Sequence, residues 1–302
     1  MRFRAAVLHG FREEFSIEYI EAEPPQGWVM LKVGATGICG RDIVVWRGGF
    51  RNLKPPLVLG HEVYGSVNGK PYGVYPAIDS TLLLGESVQG GYAEYVPVPM
   101  DSLVELPTRD YERYAASVCG VATMIHASRV AGVSSGDRVL VTGSLGGVGI
   151  HGIQYLVVNG LEVYAYSRRR EYFSILEELG AIPVATLDFY RESGRVDAVF
   201  EIVGSPTINK SMLTLRRGGV LVLVGNVTGE PVVIERPAVL VMRELRIMGT
   251  AAYTVEEYKQ AISIVSSGRI KPFYKAYKLE DVNEAYKDLQ EGRVIGRAVL
   301  KP

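Results

Sequence analysis

The chain is short of several things, and each shortage excludes something. It has only two cysteines in 302 residues, Cys39 and Cys119, 80 positions apart. That is too few for a disulfide scaffold and fits a reducing compartment, although one bond between the two is conceivable. Charge of one sign is not in excess, because 33 basic side chains face 33 acidic ones. The general attraction to phosphate backbones on which nucleic-acid binding depends is therefore missing, and an anionic membrane surface is argued against as the main partner, although zero net charge leaves room for a local basic patch. No run approaches the 18 or so consecutive apolar residues of a membrane helix; the best, Val220 to Val224, has strand length. The start, Met1-Arg2-Phe3-Arg4, leads into an alternating strand-like segment without an apolar signal core, so a cytoplasmic location is expected.

What is present is an ordinary globular composition, 47% hydrophobic and 22% charged, at a length for which two domains are the expectation. Residues 1 to about 108 are rich in Gly, Pro and β-formers, with short alternating runs such as Met30 to Val33 and Tyr92 to Val98. This reads as antiparallel β structure with poor helix signals. From Tyr111 the texture changes to helix and then to repeated strand, turn and helix. Strands are expected at Arg138 to Thr142, Glu162 to Tyr166, Asp197 to Val203, Val220 to Gly225 and Leu245 to Thr250. Helices are expected from Ile150, at about Arg170 to Leu179, at Thr207 to Leu215 and at Val255 to Ser267. That alternation predicts a doubly wound parallel α/β sheet. The last 30 residues hold a short helix, Glu280 to Glu291, and a closing strand, Arg297 to Leu300.

Strand Val139 to Thr142 runs into Gly143-Ser144-Leu145-Gly146-Gly147-Val148-Gly149. Glycines at such a turn let the backbone approach a pyrophosphate and let the next helix pack on the sheet with its N-terminal amides facing the anion. Ser144 stands where the first glycine of the strict fingerprint would be. The end of the following strand discriminates cofactors, since a carboxylate there accepts ribose hydroxyls and marks NAD. Here it reads Ser167-Arg168-Arg169-Arg170, with no carboxylate before Glu171. Guanidiniums at this point favour a 2′-phosphate and predict NADP(H).

Cys39, His61 and Cys119 are side chains that suit Zn²⁺, and a site with one exchangeable position is the catalytic type. Spacing alone does not assemble them, since they form no C-x-x-C pattern; taken singly, each is as well explained as a buried thiol or core histidine. The combination of motifs is more specific. Gly-Ile-Cys-Gly-x-Asp at 37 to 42, Gly-His-Glu at 60 to 62 and Gly-Gly-Tyr-Ala-Glu-Tyr at 90 to 95 come in that order. Ala-Ala-x-x-Cys-x-x-x-Thr at 115 to 123, the Gly-Gly-Val-Gly turn and Gly-Arg-Ala-Val-Leu-Lys-Pro at the C-terminus follow.

This series resembles the zinc-containing medium-chain alcohol dehydrogenase family over nearly the whole chain. The resemblance implies a Rossmann-type parallel sheet, residues 111–269, and a mainly antiparallel β (GroES-like) catalytic domain, residues 1–110 and 270–302. It implies one catalytic zinc held by Cys39, His61 and Cys119, with Glu62 an intermittent fourth ligand and Asp42 orienting His61. It also implies that Thr123 lines the nicotinamide site and that Arg297 reaches the pyrophosphate. The activity implied is hydride transfer between NADP(H) and a small alcohol, aldehyde or ketone, in a homodimer or homotetramer joined through the strand at Leu245 to Thr250.

Two departures stand out. Arg41 occupies the position where the family usually carries a Ser or Thr that relays the alcohol proton. A guanidinium is no general base, so Arg41 is expected to turn to a cofactor phosphate or a nearby carboxylate. The stretch Pro76 to Gly91, which in many members holds four cysteines and a structural zinc, has none, so one zinc per chain is expected. Trp46, Phe50 and Leu82 are candidates for an apolar wall or for core, and His126 and His151 for packing or solvated polarity. The rival readings are a zinc-free quinone or enone reductase of the same superfamily and a non-catalytic NADP-binding protein.

Overall fold

The computed structural model describes residues 1–78 and 82–302, which divide into two compact units. The first comprises 1–119, 262–268 and 272–302, and the second 120–261 and 269–271.

The first unit opens with the antiparallel pair β1 (Arg2–Val7) and β2 (Ser16–Glu21). Strand β3 (Trp28–Ile38) leads into helix α1 (Gly40–Trp46), the one α-helix described before residue 108. Strands β4 (Glu62–Val67), β5 (Lys70–Val74), β6 (Tyr95–Pro99) and β7 (Leu103–Glu105) follow. Helix α2 (Tyr111–Ala131) comes next, and the division between units falls inside it. Its first turns belong with the β structure: Tyr114 stacks on Tyr64 at 5.9 Å and its hydroxyl meets Thr108 Oγ1 at 2.9 Å.

The second unit carries β8 (Arg138–Val141), α3 (Gly147–Val158), β9 (Glu162–Tyr166), α4 (Phe173–Glu178) and β10 (Ile182–Val184). It continues with α5 (Phe189–Ser193), β11 (Val196–Glu201), α6 (Ile208–Thr214), β12 (Leu215–Leu223), α7 (Pro237–Met242), β13 (Arg246–Gly249) and α8 (Val255–Ser266). All six strands are parallel in the order β10-β9-β8-β11-β12-β13, the doubly wound arrangement whose strand order reverses beside its first strand. Leu140, Val199 and Leu221 at its centre are fully buried, as strands covered on both faces require.

The chain then returns to the first unit with β14 (Tyr274–Lys278), α9 (Val282–Gln290) and β15 (Arg297–Lys301). There the sheet order is β14-β15-β3-β4-β5-β7, with β6 also on β3, and every pairing is antiparallel except β14 with β15. Pairing of Ala298 with Ile38 brings Arg297 beside the end of β3, where Cys39 begins α1.

Several boundaries shift, among them that of β12, which begins at Leu215 rather than Val220. Helix α3 begins at Gly147 rather than Ile150, because the glycines themselves form its first turn. The expected helix from Arg170 opens as a 3₁₀ turn over Arg170–Tyr172 before α4.

Candidate metal centre and dinucleotide turn

The structure gathers Cys39, His61, Glu62 and Cys119 from three chain segments, with their ligating atoms all within 4.8 Å of one another. Cys39 precedes α1, His61 and Glu62 lead into β4, and Cys119 sits on α2. His61, Glu62 and Cys119 are buried, and Cys39 keeps partial exposure. A hydrogen bond from Cys119 holds the Cys39 thiol well below its ordinary value, and the same bond, with burial, pushes Cys119 up. Burial opposes protonation of His61, but the Asp42 carboxylate and the Cys39 sulfur together outweigh it and raise the imidazole.

Asp42, 1% exposed, accepts from the Cys39 backbone N–H at 2.8 Å and faces His61 Nδ1 at 3.1 Å. An ionised carboxylate has only acceptors, so Nδ1 carries the proton and donates it. That leaves His61 Nε2, 3.9 Å from Glu62 Oε1, as the ligating atom. Arg297 is 3% exposed, with Nη2 3.0 Å from Glu62 Oε1 and Nη1 3.4 Å from the Ile38 carbonyl. The pair with Glu62 falls short of hydrogen-bond angles, so both buried Glu62 oxygens lack a partner in hydrogen-bonding geometry. Burial pushes the Glu62 carboxyl up to about 7 while Arg297 pulls against it. Two thiols, an imidazole with a fixed tautomer and a buried carboxylate with no hydrogen-bond donor in line fit a tetrahedral divalent ion such as zinc.

Arg41 turns to a carboxylate. Its Nε and Nη2 grip both oxygens of Glu86, the latter at 3.0 Å, and its guanidinium lies 4.6 Å above the Phe50 ring. Glu86 lies within the cysteine-free stretch 76–91, of which 79–81 fall outside the described residues. Trp46 and Phe50 pack on the hydrophobic core, and the Trp46 indole donates to the Glu13 carbonyl at 2.7 Å. Leu82 is half-buried.

In the second unit Gly146 caps α3, and Gly147, Val148 and Gly149 form its first turn. A Cβ on Gly149 would stand 2.3 Å from the Gly143 carbonyl oxygen, so only glycine lets the helix start this close to the strand. Ser144 is fully buried and its hydroxyl donates to the Tyr166 carbonyl at 2.8 Å, tying the turn to the end of β9. Ser167, just beyond that end, accepts from the Arg169 backbone N–H at 3.1 Å. Arg168 is exposed and, among the described residues, forms no ion pair; Arg169 lies over the Tyr172 ring at 5.1 Å. Thr123 is half-buried, one helical turn after Cys119 on α2. His126 faces Glu257 at 2.9 Å, and the buried His151 meets its own helix at the Gly147 carbonyl, 2.7 Å away.

Three residues escaped the sequence reading. Besides Glu86, Tyr92 reaches Asp42, and Glu201 at the end of β11 is fully buried, accepting from Thr142 and Thr207 hydroxyls at 2.6 Å each and from Ser211. Glu201 thereby fixes the strand ends at which doubly wound sheets bind ligands. An acidic residue closing an apolar strand was the available signal.

Comparison with known proteins agrees with this geometry. Residues 25–108 match the family model of the alcohol dehydrogenase GroES-like domain, and 147–267 match that of zinc-binding dehydrogenases. The chain is 28% identical to the acryloyl-coenzyme A reductase of Sulfurisphaera tokodaii, covering 99% of this chain and all of that one. It is 28% identical to an alcohol dehydrogenase of Geobacillus stearothermophilus, covering 99% and 98%. A solved thermostable alcohol dehydrogenase of Pyrobaculum aerophilum superimposes over 100% of both chains with a TM-score of 0.91 at 28% identity.

Proposed function

Because the chain belongs to the zinc-containing medium-chain dehydrogenase family, we propose that it transfers hydride between NADP(H) and an alcohol or carbonyl substrate with one catalytic zinc per chain. It is an enzyme, an oxidoreductase of the alcohol dehydrogenase type, so the non-catalytic reading is dropped. The observation that carries the proposal is the gathering of the ligating atoms of Cys39, His61, Glu62 and Cys119 within 4.8 Å. Cys39, His61 and Cys119 would hold the zinc, with Glu62 entering and leaving the set. When bound, the metal supplies polarisation of the substrate oxygen, and the nicotinamide supplies the hydride.

The chain's own groups do the rest. Asp42 holds His61 in the tautomer that presents Nε2. Arg297, 3.0 Å from Glu62, favours the charged form of that carboxylate and would hold it when it is not a metal ligand. The exposed Arg168, with Arg169 next to it in the chain, would supply the charge a 2′-phosphate needs, while Gly143, Gly146 and Gly147 would bring backbone amides towards the pyrophosphate. Thr123 at the nicotinamide and Arg297 at the pyrophosphate belong to the same proposal. So do a cytoplasmic location and a homodimer or homotetramer. Strand β13 has only β12 beside it among the described residues, and Val241 and Met242 on α7 are 72% and 76% exposed.

Purified protein should contain one zinc by metal analysis and consume NADPH faster than NADH across a panel of aldehydes and ketones. Two zincs per chain refute the single-metal part, and equal use of NADH refutes the arginine argument.

A second reading has its own support. Arg41, committed to Glu86, offers no exchangeable hydroxyl at the usual relay position, and a relative of full length is an acryloyl-coenzyme A reductase. Reduction of a carbon–carbon double bond conjugated to a thioester carbonyl needs no alcohol relay. Faster NADPH oxidation with such a thioester than with any simple aldehyde selects this reading; the reverse order removes it.

A further inference from the structure

The sequence motif Gly-Gly-Tyr-Ala-Glu-Tyr at 90–95 has no chemistry in the reading so far, yet it is folded onto the metal site. Gly91 N–H donates to the Gly60 carbonyl at 2.8 Å and Tyr92 N–H to the Leu59 carbonyl at 3.0 Å, so this segment is zipped to the one that ends in His61. The Tyr92 ring lies against Gly60: a Cβ there would stand 2.4 Å from the ring, and Gly60 has a φ of +98°. Both facts reserve position 60 for glycine and the space beside it for Tyr92.

The Tyr92 hydroxyl reaches Asp42 Oδ2 at 3.1 Å, and the Tyr286 hydroxyl on α9 lies 3.4 Å from that of Tyr92. Both rings are buried. The carboxylate sets the direction of this chain. Asp42 can only accept, so Tyr92 donates to it, and the freed lone pairs of Tyr92 face the Tyr286 hydroxyl, which donates in turn. Burial, with the Asp42 charge adding to it, holds both phenols well above their ordinary range, so both remain donors. Asp42 thus receives three donors, from Cys39, His61 and Tyr92, and every one lies on or next to a metal-ligating segment.

We propose that Tyr92 is a positioning residue for the metal, acting through Asp42 on His61, with Tyr286 as its outer support. A buried carboxylate with one donor removed gains rotational freedom, and that freedom passes to the imidazole it orients. The proposal rests on the metal-site reading above and adds the partner that locks its orienting carboxylate.

The test measures zinc affinity by chelator competition on metal-stripped protein, and the visible spectrum of the cobalt-loaded form, for Tyr92→Phe, Tyr286→Phe and Asp42→Asn. Tyr92→Phe should weaken zinc about tenfold, at the low end of what outer partners contribute, and displace the cobalt bands while NADPH binding stays at the parent level. Tyr286→Phe should move both in the same direction by less. Asp42→Asn should weaken zinc more than either. If Tyr92→Phe matches the parent in affinity and spectrum while Asp42→Asn does not, Tyr92 only packs and the proposal is overturned. If Asp42→Asn also leaves affinity unchanged, the metal-site reading itself fails and takes the proposal with it.

Discussion

The metal centre and the dinucleotide turn are built in opposite ways. The turn is local: Gly143 to Gly149 close it within seven residues, and residues 167–169, proposed to select the cofactor, follow the next strand in both sequence and space. The metal centre is assembled from positions 39, 42, 61, 62, 119 and 297, held by sheet pairings that join β15 to β3 and β3 to β4. A local device tolerates change elsewhere and fails by backbone clash. An assembled one depends on each segment reaching the same few ångströms and fails by loss of a partner.

The largest break in that comparison comes from the assembled site. Cys39→Ala or His61→Ala should abolish stoichiometric zinc and lower kcat/KM by about a thousandfold, roughly 4 kcal/mol of transition-state stabilisation, with NADPH binding retained. Metal analysis beside fluorescence titration of the cofactor checks both halves, and cofactor affinity falling in parallel with zinc would make the two sites one unit.

Next comes the reciprocal change. In Gly149→Val the new side chain meets the Gly143 carbonyl, and overpacking against backbone costs about 2 kcal/mol. NADPH affinity should fall by roughly thirtyfold on that figure while zinc stays stoichiometric; calorimetric titration and metal analysis read the two. Arg168→Ala is smaller and more selective. Losing a charge-assisted contact should raise KM for NADPH about tenfold and leave that for NADH unchanged, so an equal rise for both cofactors would remove Arg168 from 2′-phosphate recognition.

The smallest effect tests stability away from either site. Asp288 accepts from Lys275 and Arg293, at 2.6 and 2.7 Å, and from the Tyr277 hydroxyl at 2.7 Å, and these partners hold its carboxyl below its ordinary 3.8. A depressed carboxylate contributes stability that is complete above its unfolded value and is lost as pH falls towards the folded one. Asp288→Asn should therefore lower Tm by about 3 °C at neutral pH, and the difference from the parent should begin to shrink only as pH falls below about 4. A constant difference down to pH 2 would assign the loss to packing instead.

Much of this was legible in residue order. The parallel unit announced itself through apolar strands such as Val220–Leu223 between turn signals, and strand Glu162–Tyr166 stands where it was expected. The start of α3 was misjudged because glycine is a poor helix former in isolation, whereas here close packing demands it. Glu86 and Tyr92 were missed for a different reason. A surface-type glutamate in a loop and a tyrosine in a β segment carry no sign of the distant partner each one reaches.

The sequence by itself determined which chemistry the chain has available: two thiols and an imidazole, a glycine turn after an apolar strand, arginines where a carboxylate would mark NAD. Tertiary structure alone decided what those groups face. Arg41 is gripped by Glu86, Arg297 is set beside Glu62, and Asp42 is surrounded by three donors, because sheet register and helix placement bring together atoms far apart along the chain. Protonation and ligation follow from separations of a few ångströms and from burial, and neither quantity is written in residue order.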